Sequence, residues 1–279
     1  MSASAEIPNQ TIIEPPKGLF NLEVKELIAY HELLFFLVWR DIRVRYRQTV
    51  LGAIWALLQP LFTMVVFSVI FGQFAQLPSE GIPYPIYTFA GLLPWQLFST
   101  ALSRSSESVV GESRLISKIY FPRLIIPLSS VGAGLIDFAL AFIIYLGLMV
   151  FYQVPVTWKM AALPLFTLFA LISALSVGLW LSALNVKFRD VRYTVPFLAT
   201  VWMYITPVAY SSTIIPEQWR ALFGLNPMAG VVGGFRWMLL GTPFPDARMF
   251  VISIAVVILL FISGLVYFKR MENYFADVI

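Results

Sequence analysis

Cysteine is absent from all 279 residues, so neither a disulfide framework nor a thiolate metal site can be built from this chain. Charge is scarce: Asp, Glu, Lys and Arg make up 12% of the sequence, where soluble domains carry about 25%. That shortage excludes an intrinsically disordered chain and a basic nucleic-acid-binding domain. The single histidine, His31, has no second metal-binding partner near it in sequence. No G-x-x-x-x-G-K-[ST] phosphate loop, dinucleotide-binding glycine pattern, H-E-x-x-H or G-x-S-x-G is present. A hydrolase or oxidoreductase would have to be assembled from scattered polar groups. What the chain does contain is apolar: 59% hydrophobic residues against about 45–50% in soluble domains, with a mean hydropathy of +0.81. This is the composition of an integral membrane protein.

Six crossings need about 120 residues at roughly 20 per span. Apolar runs of spanning length cover about Leu51–Phe74, Ile86–Leu102, Leu124–Tyr152, Met160–Leu184, Thr194–Tyr210 and Arg248–Phe268. Met1 to Lys17 holds Glu6, Glu14 and three prolines but no apolar core of signal length, so the N-terminus is expected in the cytoplasm. Six spans then place 15 of the 19 Lys and Arg residues inside and leave only Lys159, Arg220, Arg236 and Arg248 outside. This is the asymmetry of the positive-inside rule. Both termini are expected in the cytoplasm, and Ser79 and the stretch 211–247 outside.

The expected fold is all-α and membrane-integral: a flexible tail over residues 1–18, then a single transmembrane domain over 19–279. Before the first span, Phe20, Val24, Leu27, Ile28, Leu34 and Phe35 share one face of a helix, with Glu23, Lys25, Glu26 and Glu32 largely on the other. Such a helix suits the membrane surface; a soluble helix would need a cytoplasmic domain to pack against. Ser211 to Ala247 is apolar yet broken by Pro216, Asn226-Pro227 and Gly233-Gly234. Two short re-entrant helices fit it better than a seventh span, which Arg236 and the paired breakers would shorten below a full crossing. Inside the spans Asp137 is essentially the only ionisable group, open to two readings: a coupling site or a helix–helix contact.

Basic residues cluster on the expected cytoplasmic side. Arg40, Arg43 and Arg47 repeat at i, i+3, i+7; Arg114, Lys118 and Arg123 flank Tyr120 and Pro122; Asn185 to Tyr193 is a short charged loop and Lys269 to Ile279 a charged tail. Attraction to anionic lipid, about 1 kcal/mol per basic residue, accounts for the charge alone. It does not account for Ile116, Ile119, Tyr120 and Phe121 mixed into the second cluster, a combination suited to docking in a protein groove.

The run from Trp39 through Arg40-Asp-Ile-Arg43-Val-Arg-Tyr-Arg47 to Gln59-Pro60 resembles the entry into the first span of permease subunits of bacterial polysaccharide ABC exporters. Five further stretches match in order. They are Gly91-Leu-Leu-Pro-Trp95 with Phe98, Lys118-Ile-Tyr-Phe-Pro-Arg123, Leu184 to Val191, Leu225-Asn-Pro227 with Arg236, and Glu272 through Phe275-Ala-Asp277 to Ile279. Those exporters move lipid-linked O-antigen, capsule or teichoic acid. The resemblance covers about residues 20–279. It implies a homodimeric permease of the inner membrane with six spans per subunit and an N-terminal interface helix over Phe20–Phe35. It further implies periplasmic gate helices within 211–247 and an undecaprenyl-linked glycan substrate. Two copies of a nucleotide-binding ATPase subunit would bind ATP and magnesium, leaving this chain without cofactor or metal. The coupling residues would be Arg40, Arg43, Arg47, Arg114, Lys118, Tyr120, Pro122 and Arg123. Other readings are an ABC permease for a small lipid or drug, and a membrane-embedded lipid-modifying transferase, for which the sequence lacks a carboxylate or histidine constellation.

Helix spacing suggests the translocation path. Trp55, Gln59 and Phe62 lie at i, i+4, i+7 in the first span, and Phe197, Thr200 and Tyr204 at i, i+3, i+7 in the fifth. Aromatic faces with a polar group between them suit pyranose rings, although aromatic stripes of this spacing also serve lipid contact and helix packing.

Overall fold

The computed structural model describes residues 24–47 and 50–278. The expected tail over residues 1–18, positions 20–23 of the interface helix and the Arg47 side chain lie outside the described residues. Among them every regular element is a helix. The N-terminal pair is α1 (Val24–Ala29) and α2 (His31–Arg47), separated at Tyr30. Then come α3 (Val50–Phe67), continued by a π-helical stretch Ser68–Phe74, α4 (Tyr84–Gly111) and the single turn α5 (Ser113–Ile116). The second half holds α6 (Ile125–Gly132), α7 (Gly134–Phe151), α8 (Leu163–Lys187), α9 (Val191–Ile205), α10 (Glu217–Phe223), α11 (Pro227–Leu240) and α12 (Ala247–Val278).

Among the described residues four stretches are long and apolar enough to cross a membrane: Leu57–Phe74, Ile125–Phe151, Trp158–Lys187 and Ala247–Glu272. They match four of the six expected spans. The expected second span lies within α4, whose 28 residues reach about 42 Å at 1.5 Å per residue. It is less apolar because its faces meet protein on most sides: α4 packs on α3, α6, α7, α8, α9 and α11, and Ile86 to Trp95 are buried without interruption. The expected fifth span, Thr194–Tyr210, is represented by the 15 residues of α9, about 22 Å long. At Thr206 the backbone turns extended, so Val208 and Tyr210 fall in a non-helical segment.

Small residues let the central helices approach. Ser173, Ala174, Gly178, Ser182 and Asn185 of α8 are buried, and Asn185 donates to the Ser106 carbonyl of α4 at 2.9 Å. Close small-residue packing supplies association where lipid is as apolar as the side chains. On its other side α8 meets α12, where Trp180 stacks on Tyr267 with ring centroids 4.5 Å apart and donates to Ser263 at 3.2 Å.

Candidate functional site

Contacts between distant elements define two ends of this bundle. At one end α2, α5 and the last turns of α12 come together, and most of the basic residues gather there. At the other, α10, α11 and the segment 206–215 close over α4.

At the basic end α2 lies against α6, with Leu37 inserted among Phe121, Ile125 and Ile126. The apolar stripe expected on one helix face divides here. Leu27 and Leu34 pack on that small core, while Ile28, Phe35, Phe36 and Trp39 remain exposed. Arg40 turns inward. It forks onto both carboxylate oxygens of Glu112 at the end of α4, 72 residues away, and pairs with Asp41. The Glu112 hydrogen bond is the main cause holding its guanidinium above the ordinary value, against desolvation. Arg43 stays exposed with its guanidinium 5.8 Å from the Trp39 ring.

Asp137 lies at a helix–helix contact. Arg45 of α2 approaches it at 2.7 Å and Arg104 of α4 at 3.7 Å, and the Tyr46 hydroxyl donates to its other oxygen. Burial, then that bond to Asp137, pushes the Tyr46 hydroxyl above its ordinary pKa. Arg40, Arg45 and Arg104, with Glu107 and Glu112, also line an open groove of about 680 Å³ between α2, α4 and α6.

The segment after α5 has two faces. Phe121 is buried, Pro122 offers its carbonyl to Ile125 to start α6, and Arg123 donates to the Glu272 carbonyl of α12. Those contacts fix the loop. Arg114, Lys118, Ile119 and Tyr120 point outward, so apolar and basic groups share one exposed surface. Of the residues expected to meet a partner, Arg40 and Arg123 are thus held within the chain, and Arg43, Arg114, Lys118 and Tyr120 form the outer surface.

The two expected stripes face outward from the bundle. Trp55 is 63% exposed, Phe62 59%, Phe197 67% and Tyr204 54%, with Gln59 and Thr200 also exposed. α3 and α9 meet where Phe67 packs 6.2 Å from Tyr204. Each helix carries a proline inside, Pro60 and Pro196. The Thr200 hydroxyl donates to the Pro196 carbonyl one turn back, whereas the carbonyl that loses its helical donor to Pro196 is that of Arg192.

At the opposite end the expected pair of short helices is present as α10 and α11. Asn226 caps α11 by accepting from Met228, Pro227 occupies its first turn, and Gly241 ends it at φ 72°. α11 is almost wholly buried against α4, α8 and α12. A Cβ on Gly234 would lie 1.9 Å from the Phe166 ring, so glycine sets how closely α11 approaches α8. Arg236, which in sequence counted against a span, is buried at 4% exposure. It donates to the carbonyls of Val208 at 2.6 Å and Tyr210 at 2.9 Å, and its guanidinium lies 3.9 Å from the Tyr87 ring centre. Gly91 permits this, since a Cβ there would meet the Val208 carbonyl at 2.9 Å. Alongside, Glu80 accepts from Ser211 at 2.5 Å and Tyr87 at 3.3 Å, and Asn226 joins Trp202 and Thr206 at 2.9 and 2.8 Å. Sequence reading missed this clamp and the Arg40–Glu112 and Arg45–Asp137 pairs; their only signal was charge set in apolar surroundings.

Residues 32–240 match the family described as ABC-2 type transporter. Over 255 residues the chain is 34% identical to the O-antigen export system permease protein RfbA of Myxococcus xanthus, covering 90% of this chain and 97% of that one. It is 27% identical to the protein of the same name from Klebsiella pneumoniae, covering 93% and 100%. It is 24% identical to the polysialic acid transport protein KpsM of Escherichia coli over 69% of this chain and 75% of that one.

Proposed function

We propose a function from one premise: this chain belongs to the ABC-2 type transporter family. In our reading it is the membrane subunit of an exporter that carries lipid-linked polysaccharide out across the bacterial inner membrane. The observation that carries this reading is likeness along nearly the whole chain to permeases named for O-antigen export. A homodimer supplies the path, because the exposed aromatic stripes of α3 and α9 need a second copy to face across a shared channel. Each subunit crosses six times, with α4 and α9 as the two less apolar crossings, and α10 and α11 dip into the outer leaflet. The basic end faces the cytoplasm. There the surface of Arg43, Arg114, Lys118, Ile119 and Tyr120 docks two copies of an ATPase subunit, which hold ATP and magnesium. The transported glycan is undecaprenyl-linked.

Deletion and complementation test this. Removing the gene should eliminate surface polysaccharide and accumulate lipid-linked glycan on the cytoplasmic side, while efflux of hydrophobic dyes is unchanged. Intact surface polysaccharide together with lost dye efflux would turn the assignment toward a permease for small lipids or drugs. Because the chain has no cysteine, Ser79→Cys reports topology directly, and labelling only from the cytoplasmic side would overturn the orientation.

A further inference from the structure

Behind Gln59 lies a small cavity of about 60 Å³ between α3, α4 and α7. Its polar lining is Gln59, Gln96, Thr100, Asp137 and Arg45, with Phe138 among the apolar walls. Gln96, Thr100 and Arg104 succeed one another at four-residue spacing, so α4 turns one polar edge toward this space. Asp137 is already committed to Tyr46, Arg45 and Arg104. The amides of Gln59 and Gln96 and the hydroxyl of Thr100 make no hydrogen bond to protein among the described residues.

Gln59 is exposed and Gln96 and Thr100 are half-buried, so three neutral polar groups converge on this space from neighbouring helices with their hydrogen-bonding capacity open to a guest. An amide both donates and accepts, as a hydroxyl does, so two amides and a hydroxyl complement the hydroxyls of a neutral polyol. The space admits a few water-sized groups and not a whole sugar ring. Its mouth is placed for such a guest: Gln59 stands between Trp55 and Phe62 on the exposed stripe, where a pyranose face can stack.

We infer that this cavity is a hydroxyl-reading subsite beside the translocation path, taking one hydroxyl-bearing arm of a neutral sugar residue whose ring stacks on Trp55 or Phe62. The inference rests on the reading above that the α3 stripe lines the route of a glycan. Such a subsite holds each residue briefly by exchangeable hydrogen bonds, and it favours sugars with a free arm over those capped at that position.

The test uses the full chain in lipid nanodiscs. The probe is the host's own surface polysaccharide, released from its lipid by mild acid and observed by saturation-transfer NMR. Wild type should transfer both to ring-face protons and to the protons of the inserted arm. The shape-preserving double change Gln96→Leu with Thr100→Val should cut arm transfer at least threefold while ring-face transfer persists. In cells it should lower surface polysaccharide about tenfold at equal permease abundance, and Thr100→Ser with native Gln96 should retain export. Equal arm transfer from wild type and the double variant, or ring-face transfer without arm transfer in wild type, overturns the subsite and leaves the cavity to water. Absence of all transfer from wild type overturns the glycan path itself, and the subsite with it.

Discussion

At the end closed by α11, Arg236 is sealed from solvent and gives one donor from each terminal nitrogen to the main-chain carbonyls of Val208 and Tyr210 beneath the Tyr87 ring, its Nε being left without a partner among the described residues. At the opposite end Arg40, Arg45 and Arg104 keep a quarter to a third of their side-chain surface open and pair with the carboxylates of Glu112 and Asp137. A carbonyl moves only with its backbone, so the Arg236 contacts fix the turn after α9 to α11 and α4. Part-exposed ion pairs are weak, screened and exchangeable, and Asp137 has two arginines and a tyrosine competing for two oxygens. The contrast assigns the exchangeable contacts to the basic end and the fixed ones to the Arg236 clamp.

The largest effect should come from Arg236→Met, which removes two charge-assisted bonds and strands two buried carbonyls. It should lower the stability of the purified chain by about 3 kcal/mol, from about 1.5–3 kcal/mol per bond to a charged group. Thermal unfolding in detergent would read this, and Arg236→Lys should recover less than half, because an ammonium cannot fork across both carbonyls. Gly234→Ala comes next, at about 2 kcal/mol, since the Phe166 ring and α11 must separate to admit a methyl group. Asp137→Ala should follow with about 1–2 kcal/mol, discounted from a fully buried pair because its arginines reach water. The smallest is the Arg40–Glu112 coupling, about 0.5 kcal/mol in a double-mutant cycle. It should shrink further in high salt while the Arg236 penalty does not. Asp137→Ala proving costlier than Arg236→Met would reverse the contrast between the two ends.

Much of this architecture was legible in the sequence because membrane spans are long and their signal is local. Four apolar runs became helices of spanning length, and Pro216 and Asn226-Pro227 mark the starts of α10 and α11; the expected breaker Gly233-Gly234 instead lies inside α11, where Gly234 serves close packing on Phe166. The central helix was harder to read: α4 runs nine residues past the expected boundary at Leu102, because Ser105, Ser106 and Val109 are buried by neighbouring helices rather than by lipid. Side-chain pairing was not legible. The spacing of Arg40, Arg43 and Arg47 describes one helix face, whereas the fate of Arg40 depends on Glu112, which only the docking of α2 beside α4 brings near. Likewise Arg236 read as a residue hostile to membrane burial until the extended backbone at Val208 and Tyr210 supplied its acceptors.

The most direct measurement is ATP-dependent movement of lipid-linked glycan into proteoliposomes that contain this chain and its co-purified ATPase. Movement should require both polypeptides and ATP. It should be lost in the exposed-surface variant Arg114→Glu with Lys118→Glu and Tyr120→Ala, which leaves Phe121 and Arg123 to hold the fold and the ATPase free to hydrolyse ATP. Glycan movement without this chain, or movement undiminished by that triple change, would contradict the account.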